Sequence, residues 1–184
     1  DAADGNYRVF AGDGDDIIRL GDGDHVVLAD TGVVDNVDSV LVADIYGNGD
    51  DEIILGAGNS RILSGDGSDT ITVGAGNNDI LADTGTMDYA AGLFTADENG
   101  SGDDVVTTGA GNQRILGGYG ADTITTTIGS DYLLGDTGSF QFTGDVLQTL
   151  AKATSAGLDG ATDTISAGDG DKIVLTGAGD DDIT

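Results

Sequence analysis

Aspartates recur along this chain of 184 residues with a regular arithmetic. Asp16, Asp51, Asp69, Asp104, Asp122, Asp163 and Asp181 alternate a long interval with a short one. The short interval is identical from Asp51 to Asp69, from Asp104 to Asp122 and from Asp163 to Asp181. Each stands two residues before an aliphatic side chain, and each but Asp163 stands two residues after a glycine. A carboxylate repeated in every turn is a ladder for cations and not an acid–base pair, which needs two carboxylates facing one bond. Asp plus Glu total 34 against 6 Lys plus Arg, a net charge of −28. Such a chain repels nucleic acid and anionic lipid, whose binding rests on Lys and Arg. Its compact state needs neutralisation by cations. Calcium suits oxygen-rich turns, taking six to eight oxygens; magnesium demands a tighter octahedron and keeps its waters.

Other chemistry finds little support. The chain has no Cys, so thiolate sites and disulfides are excluded. His25 is the only histidine and has no His or Cys partner in the pattern, which reads as a solvated turn residue. Pairs such as Gly12 and Gly14 lack the helix and Lys of a phosphate loop. No catalytic residue is assigned, and enzymatic activity is not expected. No stretch approaches the ~20 apolar residues of a membrane helix.

The elements that carry the aspartates are repeats. Segments 4–32, 57–85 and 110–138 align without gaps; the first two begin 53 residues apart, as do the second and third, and a fourth copy begins near Asp169. This gives one repetitive domain over 1–184, with units near 4–56, 57–109, 110–168 and 169–184. Because both ends fall inside repeats, the chain reads as part of a longer array. Inside each unit runs a period of nine, as in Ala11–Arg19 (AGDGDDIIR), Ser64–Thr72 (SGDGSDTIT) and Gly117–Thr125 (GGYGADTIT). The eighth position is aliphatic in all fourteen nonapeptides, from Val9 and Ile18 to Val174 and Ile183. Short strands that turn this residue inward stack into a continuous core.

These nonapeptides resemble the RTX calcium-binding repeat, G-G-x-G-x-D-x-U-x, where U is a large aliphatic residue. The resemblance implies an all-β fold: a right-handed parallel β-roll (β-solenoid) with two short-stranded sheets and two nonapeptides, about 18 residues, per turn. It also assigns the sixth-position aspartates (Asp16, Asp51, Asp69, Asp104, Asp122, Asp163 and Asp181) to Ca²⁺. Asp30, Asp83 and Asp136, in the recurring A/G-D-T-G, are second-tier ligand candidates on the same edge. The alternate sixth positions hold Tyr7, His25, Ser60, Asn78, Gln113, Asp131 and Lys172. Calcium is therefore expected along one edge and largely missing from the other, with Asn78 and Asp131 as weak sites. The family also implies type I secretion of an unfolded chain that folds on Ca²⁺ outside the cell.

Three stretches interrupt the pattern: 33–48, 86–101 and 139–160. Each is either a projecting loop or a degenerate turn of the same coil, since the intervals Gly32 to Gly49 and Gly85 to Gly102 nearly equal one turn. The second option gives about ten turns and a rod of about 50 Å. Part of 139–160 has helical spacing. Ninth positions divide the two faces: Phe10, Leu28, Leu63, Leu81, Leu116, Leu134 and Leu175 on one, largely Thr and Ser on the other. An exposed leucine stripe marks an interaction surface, so lateral or end-to-end self-association through Leu28, Leu63, Leu81, Leu116 and Leu134 is weighed against cover by the interrupting stretches. Arg8, Arg61 and Arg114 recur on that face and could pair with a neighbour's acids. The leading expectation is a calcium-binding structural module of an extracellular surface protein, such as an adhesin, surface layer or filament. The alternative is the secretion and folding module of a secreted toxin or enzyme. A remote one is ice binding through Thr70/Thr72 and Thr123/Thr125, which Ile17, Arg19, Glu52 and Ile54 interrupt.

Overall fold

The computed structural model describes residues 1–35, 40–43, 47–144, 146–152 and 161–184. Among them there is no helix, and the strands form three sheets. The first, the leucine sheet, is parallel and runs β1 (Arg8–Phe10), β3 (Val26–Leu28), β7 (Arg61–Leu63), β9 (Asp79–Leu81), β13 (Arg114–Leu116), β15 (Asp131–Leu134), β19 (Lys172–Leu175). The second, the threonine sheet, is also parallel: β2 (Ile17–Leu20), β6 (Glu52–Leu55), β8 (Thr70–Val73), β12 (Val105–Thr108), β14 (Thr123–Thr126), β18 (Thr164–Ala167), β20 (Asp182–Ile183). The chain alternates between them, so each strand pairs with the strand two nonapeptides away. Arg8 pairs with Val26 and Arg61 with Asp79, the short interval; Val26 pairs with Arg61, the long one.

The strands are short because only three or four residues separate one glycine-rich turn from the next. Inward eighth-position residues from both sheets make the first core: Ile18, Val27, Ile53, Ile62, Ile71, Ile80, Val106, Ile115, Ile124, Leu133 and Ile165 are all buried. Turns approach each other too closely for side chains. Gly76 has φ +154°, and a Cβ there would overlap the carbonyl of Gly58 one turn away.

The long interval exposes what the interrupting stretches are. Every second passage from the leucine to the threonine sheet leaves the coil as a hairpin and returns to the same edge. The hairpins are β4 (Gly32–Val34) with β5 (Val40–Ala43), β10 (Gly85–Asp88) with β11 (Leu93–Ala96), and β16 (Gly138–Thr143) with β17 (Val146–Lys152). They join side by side into a third, antiparallel sheet. The degenerate-turn reading is thus corrected. Seven strands stack in each parallel sheet. At ~4.8 Å per strand the roll extends about 30 Å, shorter than the expected length of about 50 Å. Helical spacing in 139–160 is overruled where that stretch is described, because β16 and β17 pair as strands; 153–160 lie outside the described residues.

This third sheet covers the leucine stripe. Leu28, Leu63, Leu81, Leu116 and Leu134 are buried with Leu41, Ala43, Met87, Phe94, Ala96, Phe140 and Phe142 in a second core. Burial of each large apolar side chain contributes about 1.5–3 kcal/mol. The leucines are therefore unavailable as a self-association surface, and intramolecular cover is the outcome. Arg114, expected to seek a neighbour's acid, pairs instead with Asp79 of the adjacent strand, and its guanidinium packs over Phe94 and Phe142.

Candidate metal-binding edge

Turns leading from the leucine to the threonine sheet bring all seven sixth-position aspartates into one column. Their carboxylates form a continuous ladder. The backbone N–H of Asp16 donates to Asp51 Oδ1 at 2.7 Å, and that of Asp51 to Asp69 Oδ1 at 2.8 Å. The series continues from Asp69 to Asp104 (2.7 Å), Asp104 to Asp122 (3.0 Å), Asp122 to Asp163 (2.9 Å) and Asp163 to Asp181 (3.1 Å). Asp16 and Asp181, at the ends, are half-buried; the five between are buried. The longer step from Asp122 to Asp163 leaves the register intact because the longer hairpin is spliced out of the coil.

The ladder uses one oxygen of each carboxylate from Asp51 to Asp181, and Asp16 joins it through its N–H alone. The second oxygens of Asp51, Asp69 and Asp104 are buried and accept no hydrogen bond. Unpaired buried carboxylate oxygens are costly, and the protonation equilibria register it. Burial, opposed by the ladder hydrogen bond and at Asp69 also by the Ser64 hydroxyl, and aided by neighbouring aspartates, pushes Asp51 up to about 6 and Asp69 up to about 8. Asp104 is raised well above the ordinary range, again chiefly by burial and then by Asp122 and Asp69.

Asp30, Asp83 and Asp136 sit on the same edge, where the hairpins depart, and each bonds across to the following plain turn. Asp30 Oδ2 accepts the N–H of Asp66 at 3.0 Å; Asp83 Oδ2 accepts that of Tyr119, and Asp136 Oδ2 that of Ala178. The other oxygens of Asp30 and Asp83 are buried without a hydrogen bond. Burial raises Asp30 to about 7 and Asp83 to about 9. A Cβ on Gly118 would overlap the Asp83 carboxylate, so glycine there admits the close approach. Among the described residues, no group of three or more His, Cys, Asp or Glu side chains is placed to hold an ion by itself.

The opposite edge carries the same ladder in another chemistry. Ser60 N–H donates to Asn78 Oδ1 (2.9 Å), Asn78 N–H to Gln113 Oε1 (3.3 Å) and Gln113 N–H to Asp131 Oδ1 (2.9 Å). Here the second polar atom is a donor aimed at turn carbonyls. Asn78 Nδ2 donates to Gly76 O at 3.2 Å, Gln113 Nε2 to the same oxygen at 2.9 Å, and His25 Nε2 lies 3.0 Å from Gly21 O. Lys172 Nζ donates to the carboxylate of Asp131, to Gly129 O at 3.0 Å and to Thr127 O at 3.2 Å. His25 is thus buried at 1 % exposure, not solvated; it stacks on Tyr7. Neutral amides and one ammonium thus supply on this edge the donors that the second oxygens of Asp51, Asp69 and Asp104 lack on the other. Sequence reasoning found the alternation but missed these donors, although His25, Asn78, Gln113 and Lys172 all carry N–H groups at the alternate sixth position.

A coil of parallel strands with an acidic edge and an amide edge defines a repeat protein built from stacked turns. The chain belongs to the family of the RTX calcium-binding nonapeptide repeat: the four-copy family model matches residues 2–32, 45–80 and 107–139, more than half its length. No curated protein and no solved structure matches it.

Proposed function

We propose that this chain is a structural module of a secreted surface protein, a right-handed β-roll of two nonapeptides per turn that folds when Ca²⁺ loads its aspartate edge. The unsatisfied second oxygens of Asp51, Asp69 and Asp104, on one edge only, carry this reading. The donor set is hard oxygen throughout, which fits Ca²⁺. Asp16, Asp51, Asp69, Asp104, Asp122, Asp163 and Asp181 would hold the ions, with Asp30, Asp83 and Asp136 beside them, and carbonyls of the glycine-rich turns would complete the oxygen shell. Bound calcium supplies the positive charge that these carboxylates lack. The residues of the chain do the rest: the ladder spaces the carboxylates, and the two cores hold the turns in register. Because only the folded chain gathers these oxygens, binding shifts folding by mass action. A chain kept unfolded at low calcium fits export by type I secretion, and the role is mechanical, not enzymatic.

The test is a calcium titration from EDTA, followed by circular dichroism, hydrodynamic radius and calorimetric stoichiometry. Cooperative gain of β signal with compaction, absent with equal magnesium, is the expected result. A chain folded in EDTA and indifferent to calcium refutes it.

A further inference from the structure

The aspartate edge is not uniform along its length. Plain turns alternate there with turns that carry a hairpin, and the two kinds differ at the second position of the nonapeptide. Plain turns hold Gly12, Gly65, Gly118 and Gly177 at that position; hairpin-bearing turns hold Asp30, Asp83 and Asp136 where the chain leaves the coil. Each of these aspartates leans onto the plain turn that follows. A Cβ on Gly65 would overlap Asp30, one on Gly118 would overlap Asp83, and one on Gly177 would overlap Asp136, so glycine at these positions makes room for the carboxylate.

Hydrogen bonds sort the carboxylates by the gap they enter. Asp69 Oδ1 reaches back to the N–H of Asp51, while Asp30 Oδ2 reaches forward to that of Asp66, so both carboxylates stand between those two turns. Asp122 and Asp83 meet in the same way, on the N–H groups of Asp104 and Tyr119. Asp181 and Asp136 meet on those of Asp163 and Ala178. The gaps in between receive one ladder carboxylate each, from Asp51, Asp104 and Asp163. Asp13, Asp15, Asp50, Asp66 and Asp103 stand at the tips of both kinds of gap, exposed or half-buried, and do not distinguish them. Asp30 and Asp83 are 2 % and 0 % exposed, and the Oδ1 of each accepts no hydrogen bond. Burial comes first in raising Asp83, and Asp122 is the foremost of the charges that add to it; burial likewise leads at Asp69, where Asp51 and Asp30 add.

We propose that the edge carries two classes of calcium site in alternation: tight sites where two carboxylates share a gap, Asp30 with Asp69, Asp83 with Asp122 and Asp136 with Asp181, and weaker sites where Asp51, Asp104 or Asp163 stands alone. This rests on the calcium reading above. Affinity of an oxygen site for Ca²⁺ is tuned by the number of charged ligands and by rigidity. Two carboxylates balance the charge of the ion, whereas one leaves half of it to neutral carbonyls, which the glycine-rich turns offer alike in both kinds of gap. Tight gaps also lie at the roots of the hairpins. Thr84, next to Asp83, donates its hydroxyl to Asp97 at 2.8 Å, and Asp97 N–H returns a bond to Thr84 O at 3.1 Å, which closes the base of the hairpin β10–β11. Scarce calcium therefore fastens the hairpins to the coil before the remaining gaps fill.

The test is chelator titration of the calcium-saturated chain, with bound calcium read by equilibrium dialysis and the fold by circular dichroism. In the parent, half of the ions should leave at a free calcium concentration at least tenfold above that at which the other half leaves, with β signal retained between the two steps. In Asp83→Asn the amide oxygen can keep the bond from Tyr119 N–H, so this variant should hold the same total and move one ion from the late class to the early one. Asp30→Asn should do the same in the neighbouring doubled gap. Asp104→Asn should weaken one ion of the early class and leave the late class as it is. Release of all ions from the parent in a single step, loss from the same class in Asp83→Asn and Asp104→Asn, or indifference to both Asp30→Asn and Asp83→Asn would each overturn the proposal while leaving the calcium reading intact. A chain that holds no calcium at millimolar concentration would sink both.

Discussion

Replacing Asp69 by asparagine separates the two roles of its carboxylate. Oδ1 accepts the N–H of Asp51 at 2.8 Å, and an amide oxygen can keep that bond. Oδ2 is buried without a hydrogen bond, and an amide nitrogen in its place resembles Asn78 on the other edge, which donates to Gly76 O. Burial holds Asp69 near 8, against 3.8 ordinarily. At pH 7 without metal, folding must therefore protonate it, at a cost on the order of 4 kcal/mol as an upper bound. Asparagine has no such cost. In EDTA at pH 7, Asp69→Asn should be more stable than the parent by about 1–4 kcal/mol. In calcium the sign reverses, since a site at 100 times its Kd contributes about 2.7 kcal/mol and the variant loses a charged ligand. Urea denaturation followed by circular dichroism measures both, with sucrose added equally to all samples if the metal-free chains need support. Destabilisation by the same amount in EDTA and in calcium would refute the reasoning, leaving Asp69 as a hydrogen-bond acceptor only.

The metal-free roll should also respond to pH. Asp30, Asp51, Asp69 and Asp83 are raised to about 7, 6, 8 and 9. The folded chain thus keeps protons that the unfolded chain releases near 4. Their contribution is fully present below that value and is lost as pH rises through 6 to 9. In EDTA with enough sucrose to fold the metal-free chain, the melting temperature should fall from pH 5 to pH 9, and millimolar calcium should reverse the slope because the ion needs ionised ligands; a flat profile in EDTA and sucrose would contradict the burial argument. Phe94→Ala removes a fully buried ring from the second core and should cost about 3–5 kcal/mol in urea denaturation without changing calcium stoichiometry; a loss below about 1 kcal/mol would mean that the third sheet does not pack as described. Lys172→Met strips the ammonium from the buried Asp131 and should cost about 3–5 kcal/mol. Adding Asp131→Asn should restore much of that loss, and an additive double variant would deny the pairing.

Local pattern alone determined the strands, the turns and the acidic edge. Period nine sets the turn length, an aliphatic residue at each eighth position can only be satisfied inward, and the alternation of Asp51, Asp69 and Asp104 with Ser60, Asn78 and Gln113 follows once successive turns fall on opposite edges. The third sheet was not legible in the same way. Its strands pair across repeat units, as Leu41 with Met87 and Phe94 with Phe140, and nothing within 33–48 or 86–101 reveals a partner so distant. The length of those stretches, close to that of one turn, even favoured a wrong reading. Apolar burial decided it: a leucine stripe in water is unstable, and the hairpins leaving that edge carry Leu41, Met87, Phe94 and Phe140 to cover it. Burial of His25, the engagement of Arg114 by Asp79, and the choice between a carboxylate oxygen left bare and an amide turned toward a carbonyl all depend on neighbours one or more turns away. The sequence by itself settles what repeats; only the tertiary structure decides what each repeat meets, because those contacts join residues that are far apart along the chain.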